Sequence, residues 1–219
     1  MLFRSINMTT RKKIWFSTVT IYALFVFWYT DFGGPVTEAE VAKLEATMAA
    51  NGSTPEEIRH VAEFFRKDTG RQFLMVNNIE KNANPPAMPD MPETADADAL
   101  IAVYMEHMIP QLLKRACHPV IMGTATYGAL DIQGISGGET WTDAALFRYR
   151  SRRALLDIVS NPDFSGPHDY KLAALTKTIA YPIETNLYWA DLRVMLGLIL
   201  LSLSLMLQLW LDRKGGHSR

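Results

Sequence analysis

Two stretches of this chain carry no charge: the 17 residues Ile14–Thr30 and the 18 residues Val194–Leu211. As helices rising 1.5 Å per residue they reach roughly 26–27 Å, just short of a ~30 Å hydrocarbon core, so flanking side chains must complete a crossing. Trp15, Trp28, Tyr29, Tyr188, Trp189 and Trp210 stand where interfacial aromatics belong. The alternative is a pair of buried core helices. It fails most clearly on the second stretch, which from Gly197 to Leu211 is apolar on every face apart from Ser202, Ser204 and Gln208. A 219-residue soluble chain can hardly bury such a helix all round. Ser17, Thr18 and Thr20 dilute the first stretch, and Arg4, Arg11, Lys12 and Lys13 ahead of it make a cleaved signal peptide its rival. The bulky run Tyr29–Phe32 offers no small-x-small cleavage site, so an uncleaved anchor is expected. The expected spans are 14–31 and 190–211, with tails at 1–13 and 212–219. Gly197, Ser202 and Ser204 are small positions through which such helices could join a larger membrane complex.

Charge orients the chain. The first tail carries four cations and no acid, and the last tail carries Arg213, Lys214 and Arg219 against Asp212. The stretch from Asp31 to Arg193, both included, holds 15 basic and 22 acidic residues. Basic short tails belong on the cytoplasmic side, which leaves the acidic middle outside. In a bacterial inner membrane both termini would be cytoplasmic and the central domain periplasmic. An overall charge of −1 and an acidic middle exclude a nucleic-acid partner, which would require a clustered basic face. The one cysteine, Cys117, excludes an internal disulfide.

Residues 36–70 read as a helical hairpin. Thr37 precedes a helical run with Glu40 three positions on, and Thr54-Pro55-Glu56-Glu57 opens a second, which Gly70 closes. Val41, Leu44 and Met48, with Ile58, Val61, Phe64 and Phe65, are spaced for burial, either as a spacer packed on its own protein or as a docking hairpin. Beyond it, the pattern changes. Residues 72–79 form a strand, the proline-rich run 82–92 a loop, and 96–116 a helix bent at Pro110. Strands follow at 118–126 and 142–149, a Ser151-capped helix at 152–159, a break at Asn161-Pro162, a short helix to about Leu175, and a strand at 176–183. Strand, helix, strand, strand, helix, strand is the ferredoxin-like split βαβ plan: one antiparallel sheet with helices on one face, an α+β domain over 72–184.

The stretch from Phe147 to Glu184 resembles the second half of dimeric α+β-barrel proteins, in particular the DUF1330-like and EthD-like small domains. A strand runs into the Ser151-capped helix, then the step Asn161-Pro162-Asp163-Phe164 and a last strand. The first half is similar to theirs from Gln72–Lys81, through the helix with Tyr104, His107 and Pro110, to His118–Ala125. The resemblance covers about half of the chain. It implies a fold rather than an activity, because the superfamily includes haem-degrading and quinone-forming monooxygenases, isomerases and proteins without known chemistry. It also implies a homodimer built sheet to sheet, although two anchors and a hairpin depart from the usual small members.

Any ligand site belongs between sheet and helices. Along the third strand Ala144, Leu146 and Arg148 share one face and Ala145, Phe147 and Tyr149 the other. His107, Tyr104, Arg148 and Tyr149 are the candidate ligand-binding residues, His107 because imidazole serves as base or ligand. Arg150, Arg152 and Arg153, next to Arg148, could hold a carboxylate or phosphate at a helix start, or form a solvated turn. His118 and His168, each beside a proline, read as turn or surface residues. Met88, Met91, Met105, Met108 and Met122 suit Cu(I) by chemistry but not by spacing, so no metal site is expected, and no cofactor is indicated. No nucleophile or acid–base pair stands out, which favours a membrane-anchored accessory or interaction module with a protein partner or a second copy. The alternative is an α+β-barrel enzyme or binder of an apolar, aromatic or haem-like compound at the membrane surface. A pocket above about 300 Å³ lined by those four residues would favour it.

Overall fold

The computed structural model describes residues 9–161 and 165–216, leaving Pro162–Phe164 of the expected helix break and the outermost parts of both tails outside the described residues. The chain forms two compact units. One is made of its two ends, as far as Thr30 and from Asn186, and the other of Asp31–Thr185.

The first unit is an antiparallel helix pair, α1 (Thr10–Tyr29) and α7 (Leu192–Gly216). Thr9 caps α1 by accepting from the Lys12 N–H. Polar contacts recur along the seam at three- and four-residue steps. Arg11 meets the Asp212 carboxylate, Trp15 Nε1 donates to Gln208 Oε1 at 2.9 Å, and the Thr18 and Ser204 hydroxyls share a bond of 2.6 Å. Tyr22 packs over Gly197, where an added Cβ would come within 3.3 Å of its ring, and Arg193 donates to Thr30 at 3.2 Å. The small positions expected to face another protein's helices are thus used, at Gly197 and Ser204, within this chain.

Among the described residues one helix is long and apolar enough to cross a membrane, α7 over Leu192–Lys214. Two were expected. Inside α1 the charge-free part is only Ile14–Tyr29, and a longer window takes in Lys12 and Lys13. The hydroxyl of Thr18 and the indole N–H of Trp15, which lower its apolarity, are the groups that bond α7.

The second unit opens with the hairpin α2 (Glu38–Ala50) and α3 (Pro55–Arg66). Both helices start with a capping box: Thr37 with Glu40, and Thr54 with Glu57. Val41, Leu44, Ala62 and Phe65 bury against each other and against Leu156 of α5, so the hairpin packs on its own unit. The rest is β1 (Phe73–Lys81), α4 (Ala97–Lys114), β2 (His118–Thr124), β3 (Asp143–Tyr149), α5 (Arg152–Val159), α6 (Ser165–Ala173) and β4 (Leu175–Ile183). The four strands form one sheet in the order β2-β3-β1-β4, every neighbouring pair antiparallel. This is the ferredoxin-like order, in which each crossover helix carries the chain past one strand.

Register fixes the faces. Pairing of Met75 with Phe147 and Pro182, and of Asn77 with Ala145 and Ala180, puts these on the helix side. There Phe73, Tyr149, Met108, Leu112, Ala154 and Ile158 form the core, with the Phe73 and Tyr149 rings stacked at 5.1 Å. Burying each large side chain contributes about 1.5–3 kcal/mol. Lys81 fastens the start of α4 to the sheet, 2.7 Å from Asp98 and 3.0 Å from Asp143.

Candidate functional site

Between the helix side of the sheet and α4, α5 and α6 lies a cavity of about 240 Å³. Most of its wall is thioether, aromatic and aliphatic: Met75, Met105, Met108, Phe147 and Ile158. Met122, 61% exposed, stands at its rim. Its polar groups come from four elements. Asn77 of β1 is buried, with its amide donating to Met75 O at 3.1 Å and Ala145 O at 3.3 Å. Tyr104 of α4 and Tyr149 of β3 line it, as do His168 and Lys171, one turn apart on α6.

Burial lifts the Tyr104 hydroxyl to about 12, and lifts that of Tyr149 further with help from Tyr104 and Cys117, so both stay neutral at pH 7. Burial also lowers Lys171, and it lowers His168 together with the neighbouring Lys171 charge. The Lys171 ammonium lies 5.7 Å from the centre of the Tyr104 ring, which His168 meets edge-on at 6.2 Å. No carboxylate pairs with Lys171 among the described residues.

Of the four ligand-binding candidates, Tyr104 and Tyr149 line the cavity and His107 and Arg148 do not. His107 is half-buried on α4, its Nε2 shielded from solvent and without a hydrogen-bond partner among the described residues. Arg148 sits on the opposite face of β3 and is fully buried. Its Nε and Nη2 donate to Gln72 Oε1 at 2.9 and 2.7 Å, and its Nη1 to Ala116 O at 2.6 Å. Adjacent strand residues point to opposite faces, so Arg148 and Tyr149 could not both reach one pocket.

The remaining arginines do not converge on one anion. Arg152 holds the Phe64 carbonyl and pairs with Asp68 at 3.7 Å and Glu184 at 3.4 Å. Arg153 reaches Glu40 at 2.7 Å and the carbonyls of Gly34 and Pro35 at 3.0 and 2.8 Å. The Arg150 backbone N–H donates to Cys117 Sγ at 3.4 Å. Its charge, with that of Arg153, acts on Asp31; burial works to raise that carboxyl, but the Ser151 hydroxyl, the Gly33 N–H and these two cations hold it below the usual range. The arginine run therefore fastens the hairpin and the entering segment to α5.

His168 and Lys171 escape sequence reasoning. His168, expected in a turn or at the surface, faces the cavity. The i, i+3 spacing of the two residues is the only local signal, and it acquires meaning once α6 is known to lie against α4.

Two further surfaces are apolar. One is an open groove of about 650 Å³ between the hairpin and α5, lined by Met48, Val61, Phe64 and Val159, with His60 and Lys67 also in its wall. The other is the sheet face away from the helices. A row there runs across all four strands, from Ile121 through Leu146 and Val76 to Tyr181, flanked by Ile179 and Ile183. Ile121, Ile179, Tyr181 and Ile183 are between 36% and 58% exposed.

No protein-family model and no curated protein sequence matches the chain. Among solved structures it is similar to a protein of unknown function from Rhodopseudomonas palustris, at TM-score 0.50 and 18% identity over 62% of this chain and 95% of that one. The methylated form of that protein aligns at TM-score 0.50 and 20% identity over 63% and 95%. A dimeric protein of unknown function with a ferredoxin-like fold from Bacteroides fragilis superposes at TM-score 0.32 and 10% identity over 52% and 96%, too loosely to bear on this chain. The likeness is one of fold.

Proposed function

We propose that this chain is a membrane-anchored interaction module of the dimeric α+β-barrel kind, whose sheet face binds a second copy of itself. In this reading α1 and α7 cross the bacterial inner membrane together, with both tails cytoplasmic and the α+β unit periplasmic. The observation that carries the interaction role is the apolar row Ile121, Leu146, Val76 and Tyr181 lying across the whole sheet, its ends Ile121 and Tyr181 exposed and its middle partly so. Half-exposed isoleucines and a tyrosine, contiguous on a flat face, mark an interface rather than the scattered apolar residues of an ordinary surface. The crossing reading draws on α7 being long enough by itself, about 34 Å over Leu192–Lys214, and on α1 satisfying its polar groups against it. Membrane helix pairs are held by such small-residue contacts and interhelical hydrogen bonds.

The test is the mass of the full chain in mild detergent, by sedimentation or light scattering corrected for the micelle. A dimer is expected, and Tyr181→Glu with Ile179→Lys should yield a monomer of unchanged circular dichroism. A wild-type monomer co-purifying with a stoichiometric different protein would replace the second copy by a heterologous partner. A monomer alone would overturn the proposal. Cysteine accessibility at the two tails and at a position in the β2–β3 loop, probed from each side of intact cells, tests the orientation.

A further inference from the structure

The cavity between sheet and helices carries a second inference, independent of the outer sheet face. Its wall is mostly apolar, yet one end holds a lysine that no acid among the described residues pairs with. Lys171 is half-buried, its ammonium lies over the Tyr104 ring, and no carboxylate among the described residues reaches it. Lys81, Arg152 and Arg153 of this unit are met by carboxylates, of Asp98 and Asp143, of Asp68 and Glu184, and of Glu40, and the fully buried Arg148 donates to Gln72 Oε1 and the Ala116 carbonyl. An enclosed cation facing an apolar hollow is costly unless an anion meets it there. Neither tyrosine supplies that anion, because burial keeps both hydroxyls protonated.

We propose that this cavity binds a small monocarboxylate with an apolar body, its carboxylate on Lys171 Nζ and its body among Met75, Met105, Met108 and Phe147. Size sets the class. A dry apolar cavity of about 150 Å³ accepts benzene, so 240 Å³ accepts a phenyl ring with a short acid chain, or a medium-chain aliphatic acid. It is smaller than the roughly 300–1,000 Å³ typical of drug-sized ligands. The thioethers of Met105 and Met108 adapt to either shape. His168, one turn before Lys171 and against the same Tyr104 ring, lines the same polar end.

The probes are 3-phenylpropionate and its neutral analogue 3-phenylpropan-1-ol, titrated at pH 7 into the full chain in mild detergent with 13C-methyl methionine. Met75, Met105, Met108 and Met122 border the cavity, so their methyl resonances report binding there. Lys171→Met is expected to weaken the acid at least tenfold and the alcohol less than twofold, and Lys171→Arg to retain the preference for the acid. Because each ligand is compared between variants, its partition into micelles cancels. If the acid moves no cavity methionine in the wild type, or if acid and alcohol lose affinity equally in Lys171→Met, the proposal is overturned. Should Lys171→Met fail to fold, the wild type and Lys171→Arg decide it, since equal binding of acid and alcohol to both would exclude an anion site. The oligomeric mass of the same samples is read separately, so loss of ligand binding and loss of dimerisation are distinguishable.

Discussion

Replacing Arg153 by methionine keeps the aliphatic stem of this side chain and removes its hydrogen bonds. In the folded chain its guanidinium joins α5 to the start of α2 and to the segment before it, through Glu40 and the Gly34 and Pro35 carbonyls. Its side chain is 22% exposed and that of Glu40 35%, so the ion pair is partly screened and contributes about 0.5–1 kcal/mol. The two carbonyls accept from a charged donor at a half-buried site, and together they add about 1–2 kcal/mol. Arg153→Met should therefore destabilise the second unit by about 1.5–3 kcal/mol, a fall in Tm of roughly 3–12 °C for a unit of this size. The assay is thermal unfolding followed by near-ultraviolet circular dichroism of the full chain in mild detergent.

Glu40 sharpens this test. Bonds from Arg153 and from the Thr37 hydroxyl and N–H lower its carboxyl from an ordinary 4.5 to about 2. A carboxyl lowered on folding contributes stability that is complete above its unfolded value and lost as pH falls through its folded one. The deficit of Glu40→Gln should thus be full above about pH 5 and shrink from 4.5 towards 2. An Arg153→Met chain melting within 1 °C of the wild type, or a Glu40→Gln deficit that stays constant down to pH 3, would refute the idea that this pair staples the hairpin.

Further outcomes follow from the core, the helix pair and the caps. Leu112→Ala, 1% exposed beneath the sheet, should cost about 2–5 kcal/mol and lower the unfolding midpoint in urea accordingly. In the helix pair, Gln208→Leu removes the Trp15 bond and should cost about 0.6 kcal/mol and no more than about 1.7, read as earlier loss of helix contact in increasing dodecyl sulfate. Ser151→Ala removes the cap of α5 together with the bond to Asp31, and should lower stability by about 1–2 kcal/mol in a urea titration at pH 7.

The ferredoxin-like plan was legible because each element announces itself locally. Short apolar runs mark β1 and β3, Ser151 and Asp96 stand at helix starts with their side chains on the expected N–H groups, and the run around Pro85–Pro92 can be neither helix nor strand. The hairpin was equally legible through its two Thr-to-Glu boxes. What composition could not show was which polar residues of a helix face a partner. Thr18 reads as a blemish in an apolar run until Ser204, 186 positions later, lies against it. The arginine run has the same difficulty. Four cations in six residues suggest one anion, but strand alternation and helix rotation send them to separate acceptors contributed by Gln72, Glu184 and Glu40. Lys171 was overlooked for the opposite reason, since a lone lysine on a short helix is ordinary until the fold encloses it with no acid partner among the described residues.

The helix pair also sets a schedule for making the protein. Trp15 and Gln208 lie 193 residues apart in the chain, and everything between them is synthesised before they can meet. At roughly 5–20 residues per second, α1 waits about 10–40 s for α7. During that interval the Trp15 and Thr18 donors have only their surroundings to bond, while the whole of Asp31–Thr185 emerges and folds as an insertion between the two halves of the pair. α7 thus completes α1, and a chain interrupted between Thr185 and Leu192 leaves the α+β unit with all its strands while α1 still lacks its partner helix.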